Sequence, residues 1–173
     1  MSAKSGAKPS AVNTKAPVST HECIWALLLK GWESDAQSLA IATAAMFVVG
    51  LVYYAILVSG PWVKAMLRDK GVKKFEGIVW RYSGFTCILV SVACDFVKMC
   101  LVLAFMNTLG SQRDSLCMYL QVAAMLWGFI MTCGHNWMWE QRPMALIVTT
   151  AVSELLLLQA GAYALHTAKH YKA

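Results

Sequence analysis

The stretch GFTCILVSVACDFVKMCLVLAFM, residues 84–106, decides the fold. Its 23 residues hold only two charged side chains, Asp95 and Lys98. As a helix rising ~1.5 Å per residue, such a run reaches ~35 Å, enough to cross the ~30 Å hydrocarbon core of a bilayer. Three more runs of the same kind flank it, at about 39–59, 116–135 and 143–166. Gly60-Pro61 is read as the break after the first, Asn107 to Ser115 as a polar turn, and Pro143 as the first helical residue of the last. The chain is 58% apolar and only 14% charged, with mean hydropathy +0.54, which exceeds what a soluble domain of this size carries. The expected fold is all-α: an integral membrane four-helix bundle over residues 35–173, with a short N-terminal interfacial amphipathic helix.

That N-terminal region divides in two. Residues 1–20 are basic, rich in Ser and Ala and free of acidic side chains, and are too polar to form a core of their own. This tail is similar to an organelle transit peptide, although it lacks Arg and an amphipathic pattern. In residues 21–34, a Ser19–Glu22 capping box precedes a segment with two faces, Ile24, Trp25, Leu28, Leu29 and Trp32 against Glu22, Ala26, Lys30 and Glu33. It is too short to span, and its two Trp residues suit the headgroup boundary. Ser34 and Gln37 form a second box that starts the first span.

The formal charge of +6 is concentrated beside the spans and not on a nucleic-acid-reading face. The loop 62–82 has Lys64, Arg68, Lys70, Lys73, Lys74 and Arg81 against Asp69 and Glu76, with Trp62 and Trp80 near its ends. Trp62, Lys64, Arg68, Lys73, Lys74, Trp80 and Arg81 are therefore candidates for holding anionic lipid headgroups such as cardiolipin. Plain topology signal is the other reading. With Arg142 this side has seven basic residues near spans, against Lys30, Arg113, Lys169 and Lys172 on the other, so the first and third loops are expected inside, in cytosol or matrix.

Chemistry-bearing motifs are few. Cys23, Cys87, Cys94, Cys100, Cys117 and Cys133 form neither a C-x-x-C pair nor a regular ladder and read as small hydrophobes. His135 and His166 stand at opposite ends of their spans and cannot share a haem, while His166 and His170 have no acidic or Cys partner in sequence and read as a solvated C-terminal turn. No phosphate loop, nucleophile elbow or dinucleotide fingerprint is present. Neither a metal, a cofactor nor an enzymatic activity is expected.

The informative residues are the ionisable ones at mid-membrane. Asp95 and Lys98 lie near the centre of the second span, and Glu154 near the centre of the fourth, where each unpaired charge costs roughly 2.5–3.5 kcal/mol on insertion scales. Asp95 and Lys98 are i,i+3 neighbours. Cys87, Ser91 and Cys94 continue their face, and the second and fourth spans run in the same direction with Asp95 and Glu154 at one depth. Gln121 falls near the level of Lys98 and completes the candidate cluster. In the third span Gln121, Gly128, Thr132 and His135 form a stripe that could serve as a packing seam. The cluster has two readings: an ion pair network that fixes helix register or docks a neighbour, or a proton or ion path. A cavity reaching Asp95 would tell against the purely structural one.

Gly50, Tyr53, Tyr54 and Trp62, followed by Gly128, Phe129, Asn136, Arg142, Pro143 and Gly161, give the chain a resemblance over roughly residues 39–165 to the family called domain of unknown function 1761. Its members are small four-helix membrane proteins with a G-x-x-[WY]-Y pattern ending the first span and a Trp after it. Here Tyr53 stands where Trp is more usual, and the N-terminal tail and interfacial helix are additions. The resemblance implies the fold and no activity. The functional expectation is a non-catalytic accessory subunit of a larger complex of the mitochondrial inner membrane, a respiratory complex or an ATP synthase. It would contact neighbouring subunits and lipid, with the first and third loops on the matrix side. The alternative is a small transporter or proton conductor that uses the intramembrane carboxylates.

Overall fold

The computed structural model describes residues 24–110, 114–134 and 136–171, with side chains throughout apart from 24–34 and 139. The tail 1–20, the Ser19–Glu22 box and the two faces of the 21–34 segment lie outside the described residues or side chains, as do Arg113, His135 and Lys172. The backbone forms helices α1 (Ile24–Val52), α2 (Ser59–Lys70), α3 (Gly84–Leu109), α4 (Leu116–Cys133), α5 (Asn136–Trp139) and α6 (Met144–His170). Four stretches, Asp35–Leu57, Gly84–Leu109, Leu116–Met138 and Met144–His170, are long and apolar enough to cross a membrane. The protein is an all-α integral membrane bundle.

Local chemistry sets the ends of these helices. α1 is broken at Asp35, whose φ of −132° and ψ of 23° are non-helical, one residue past the Ser34 cap read from sequence. Past Val52 the helix widens into a π turn, Tyr53–Leu57, a form that appears as single turns and often at functional positions. Ser83 caps α3 by accepting from Thr86 N at 3.1 Å, and Ser115 caps α4 through Met118 N at 3.4 Å.

The first loop differs from the expectation. The chain breaks at Val58, and Gly60-Pro61 lie inside the first turn of α2, where the missing N–H of proline forfeits no helical bond. The segment 62–82 is thus helical to Lys70 and makes a short 3-10 turn at Phe75–Gly77. Gly71 closes α2 at φ +64°, with Gly71 N–H donating to Arg68 O and Val72 N–H to Leu67 O, a left-handed stop that glycine adopts without strain.

α6 is the centre of the bundle, packed chiefly on α1 and α4, while α3 leans on α1. Trp127 Nε1–H donates to Ala151 O at 2.8 Å and Gln159 Nε2–H to Leu120 O at 3.1 Å, tying α4 to α6. The main buried cluster is one-sided, with Tyr53, Ala65, Ile78 and Leu146 the buried apolar residues described at the α2 end. Leu39, Ala42 and Met46 of α1, Met99 through Met106 of α3, Tyr119, Val122 and Ala123 of α4, and Leu157 through Leu165 of α6 all belong to the half of the bundle where α3 ends and α4 begins. In the other half of α3, Phe85, Ile88, Leu89 and Val90 are exposed and Asp95 is the first buried residue.

The packed half is closed by a polar latch. Lys169 Nζ donates to Tyr119 Oη at 3.2 Å and sits 3.5 Å from Asp114 Oδ2, while His170 Nε2 is 3.6 Å from Asp114 Oδ1. His166 stacks edge-on against Tyr119 and beside His170, at 5.2 and 4.3 Å between ring centres. The expected solvated histidine turn is instead part of this latch. Burial alone would raise the Asp114 carboxyl, but Lys169, a hydrogen bond from Tyr119 and His170 outweigh it and hold it below the usual carboxylate range.

Of the seam expected on α4, Gln121 and Thr132 are exposed and a side chain on Gly128 would meet nothing within 4 Å among the described residues, while His135 lies outside them. The packing face is Tyr119, Val122, Ala123 and Trp127, because those residues carry the apolar bulk and the indole donor. The close crossing is at Gly161, where an added Cβ would come within 2.6 Å of Met99 Sδ and 2.7 Å of Met46 Cγ.

Two outcomes follow in detergent-solubilised protein. Gly161→Val should destabilise by about 1–3 kcal/mol, the usual cost of overpacking, and lower the unfolding temperature, whereas Gly128→Val should leave it nearly unchanged. Because the Asp114 carboxyl is held low, its stabilisation is present above the ordinary aspartate value of ~4 and is lost as pH falls through the lowered one. The gap in unfolding temperature between the native chain and Asp114→Asn should stay open down to about pH 4 and close below it.

Candidate functional site

The boundary between the packed and unpacked halves carries the mid-membrane charges. One turn of α3 separates Asp95 from Lys98, so both leave the same face, and α6 brings Glu154 to it. Lys98 Nζ donates to Asp95 Oδ1 at 3.1 Å and to Glu154 Oε2 at 2.6 Å. A single ammonium is shared by two carboxylates, one on its own helix and one across the bundle. The side chains are 8%, 16% and 23% exposed for Asp95, Lys98 and Glu154, so the triad opens progressively toward one side. That side is a cleft of about 690 Å³ between α1, α3 and α6.

One wall of the cleft is Met46, Gly50, Leu51 and Tyr54 of α1 and its π turn; the other is Cys87, Ser91 and Cys94 of α3; Ser153, Glu154 and Leu157 of α6 form the floor. The cleft runs from the triad toward the end of the bundle that bears α2. Leu51, Cys87, Ser91 and Cys94 are exposed, so it is open along its length. On the other side of the triad the buried core seals the bundle. Access to the charges is therefore along the open side of the cleft and from the α2 end, and not through the packed half.

The π turn orders the rim. Tyr53 Oη donates to Thr149 O at 3.2 Å. Ser153 Oγ gives its one proton to Thr150 O at 2.8 Å, so at 2.8 Å from Tyr54 Oη it accepts from that phenol. Tyr54 also meets Trp62 of α2 edge-on, with centroids 5.8 Å apart. Two successive tyrosines of the π turn both reach α6, Tyr53 at Thr149 and Tyr54 at Ser153. Tyr53, Tyr54 and Trp62 thus become one bracket holding α1, α2 and α6 together. Gly50 faces Leu157, where an added Cβ would be in ordinary contact at 3.6 Å.

The sequence-derived candidates fall out unevenly. Asp95, Lys98 and Glu154 come together. Gln121 does not join them: it is exposed on α4 and its amide reaches Cys117 Sγ at 3.5 Å, because α4 turns a different face toward α6. Lys64, Arg68, Lys73, Lys74, Trp80 and Arg81 are all exposed at the end that bears α2, spread over helix and loop, while Trp62 turns inward to Tyr54. Asn136, Arg142 and Pro143 shape the α5–α6 corner, where Arg142 Nε pairs with Glu140 at 2.7 Å, Gln141 takes φ +53° and Pro143 precedes the first turn of α6. Ser153 was not singled out from sequence. Its only signal was its place beside Glu154.

These features define a four-span membrane protein with an ion triad at mid-depth and a cleft leading to it. A family model for proteins of unknown function, DUF1761, matches residues 38–165, and the chain belongs to that family. No curated protein and no solved structure matches it.

Removing the shared ammonium leaves two carboxylates facing each other. Lys98→Met should destabilise by about 3 kcal/mol, the low end of the cost of breaking a buried pair because the cleft is partly open. Neutralising all three, with Asp95→Asn and Glu154→Gln added, should recover most of the loss in a denaturant titration in micelles.

Proposed function

We propose that this protein is a non-catalytic membrane-embedded binding protein of the small-carrier kind, which takes a guest molecule into the cleft between α1, α3 and α6. The observation that carries this reading is the open cleft of about 690 Å³ that ends on Asp95, Lys98 and Glu154. Ligand pockets have volumes of roughly 300–1,000 Å³, mostly apolar walls and a few convergent polar groups, and this one has all three attributes. An uninterrupted proton path is less well supported, because beyond the triad the bundle closes on Met99, Val102, Leu103 and their partners.

The reading as an accessory subunit of a respiratory complex or ATP synthase needs the triad to be spent inside the bundle or on a neighbour, and an accessible cleft weighs against it. A mitochondrial inner-membrane location is supported by the transit-like basic tail, and the α2 side toward the matrix by the seven-to-four distribution of the Lys and Arg close to the spans. Exposed Lys and Arg around α2 would there meet anionic lipid, cardiolipin included.

Native mass measurement after purification in mild detergent tests the reading. The expected result is a 19.0 kDa chain with a bound compound of a few hundred daltons, which Cys94→Trp, a variant that fills the cleft, no longer retains. Recovery only as part of a larger assembly, without a bound compound and unaffected by Cys94→Trp, would contradict it.

A further inference from the structure

The charge count of the cleft specifies its guest. Asp95 and Glu154 contribute two negative charges and Lys98 one positive, and among the described residues no other Asp, Glu, Lys or Arg lines the space. Fully ionised, the floor has a surplus charge of −1 at mid-membrane, where an uncompensated charge is costly. The Lys98 bonds use one oxygen of each carboxylate, Asp95 Oδ1 and Glu154 Oε2, leaving the second oxygen of each outside the ion pair. The walls toward the mouth are apolar at Met46, Leu51 and Leu157.

We propose that the guest is a lipophilic cation: an amine with one positive charge on an apolar body, its N–H groups on the free oxygens of Asp95 and Glu154 and its apolar part along α1 and α3. An anion would add to the surplus, and a neutral guest would leave it standing. The charged and titratable groups that face the guest are Asp95 and Lys98 from α3, Glu154 from α6, and the Tyr54 hydroxyl from the π turn after α1, with the Cys87 and Cys94 thiols on the α3 wall. The proposal rests on the reading of the cleft as a guest site.

Three probes of equal chain length test it on the full chain: dodecylammonium, dodecanol and dodecanoate, titrated one at a time and read by native mass measurement. Dodecylammonium should be retained at one per chain at a concentration at least ~10-fold lower than dodecanol, a difference of ~1.4 kcal/mol, with dodecanoate weakest. Glu154→Gln removes the surplus without changing side-chain shape, and should cut that preference below about threefold. Cys94→Trp should abolish retention of all three. Equal retention of the three probes by the native chain, lost in Cys94→Trp, would overturn the cation assignment and keep the guest site. Retention of none of them, or retention unaffected by Cys94→Trp, would overturn both. A Glu154→Gln chain that folds with unchanged unfolding temperature and still prefers dodecylammonium tenfold would also sink the assignment.

Discussion

Everything distinctive about this bundle depends on one ammonium, that of Lys98, held between Asp95 on its own helix and Glu154 on α6. Three isolated charges at this depth would be expensive. Sharing one cation between two carboxylates makes them tolerable and fixes the rotation of α3 about its axis, since Asp95 and Lys98 must both face α6. Once that face is set, Met99, Val102, Leu103 and Met106 fall on the core side, and no residue of α3 before Asp95 is buried among the described residues. The same constraint that packs one half of the bundle leaves the other half open.

The two ends are held by different chemistry. At the packed end, Asp114, Tyr119, Lys169 and His170 bind the start of α4 to the end of α6. At the open end the π turn sends Tyr53 and Tyr54 into backbone and hydroxyl acceptors of α6, and Trp62 braces Tyr54 from α2. α6 is therefore held to α4 at the packed end and to α1 at the open end, while the first half of α3 buries no side chain before Asp95. Such an arrangement suits a site whose floor is rigid and whose side is accessible.

Much of this was legible in the sequence. Four apolar runs of spanning length gave the helix count, and the i,i+3 spacing of Asp95 and Lys98 with Glu154 at matching depth gave the triad. Serine caps at Ser83 and Ser115 accord with helix starts near 84 and 116. The failures have physical causes. Gly60-Pro61 looks like a break because proline usually ends a helix, yet in a first turn it costs nothing, so α2 was read as loop. Gln121 shares a depth with Lys98, but depth says nothing about rotation, and α4 is oriented by Tyr119 and Trp127. The His166–His170 pair looked solvated because its partner Asp114 lies some fifty residues earlier in the chain. The π turn leaves no sequence signature beyond the paired tyrosines.

The central claim is that the Asp95–Lys98–Glu154 triad lies at the end of an accessible cleft. Cys94 stands on the cleft wall one residue before Asp95, and Cys100 lies outside the cleft. Two variants, one keeping Cys94 and one keeping Cys100 as the sole cysteine, can be reconstituted in liposomes and exposed to a small water-soluble thiol reagent. The account predicts that Cys94 is modified at least tenfold faster than Cys100 and is shielded when dodecylammonium is present. Equal, slow modification of both cysteines would show that the charges are sealed within the protein, and would contradict the account.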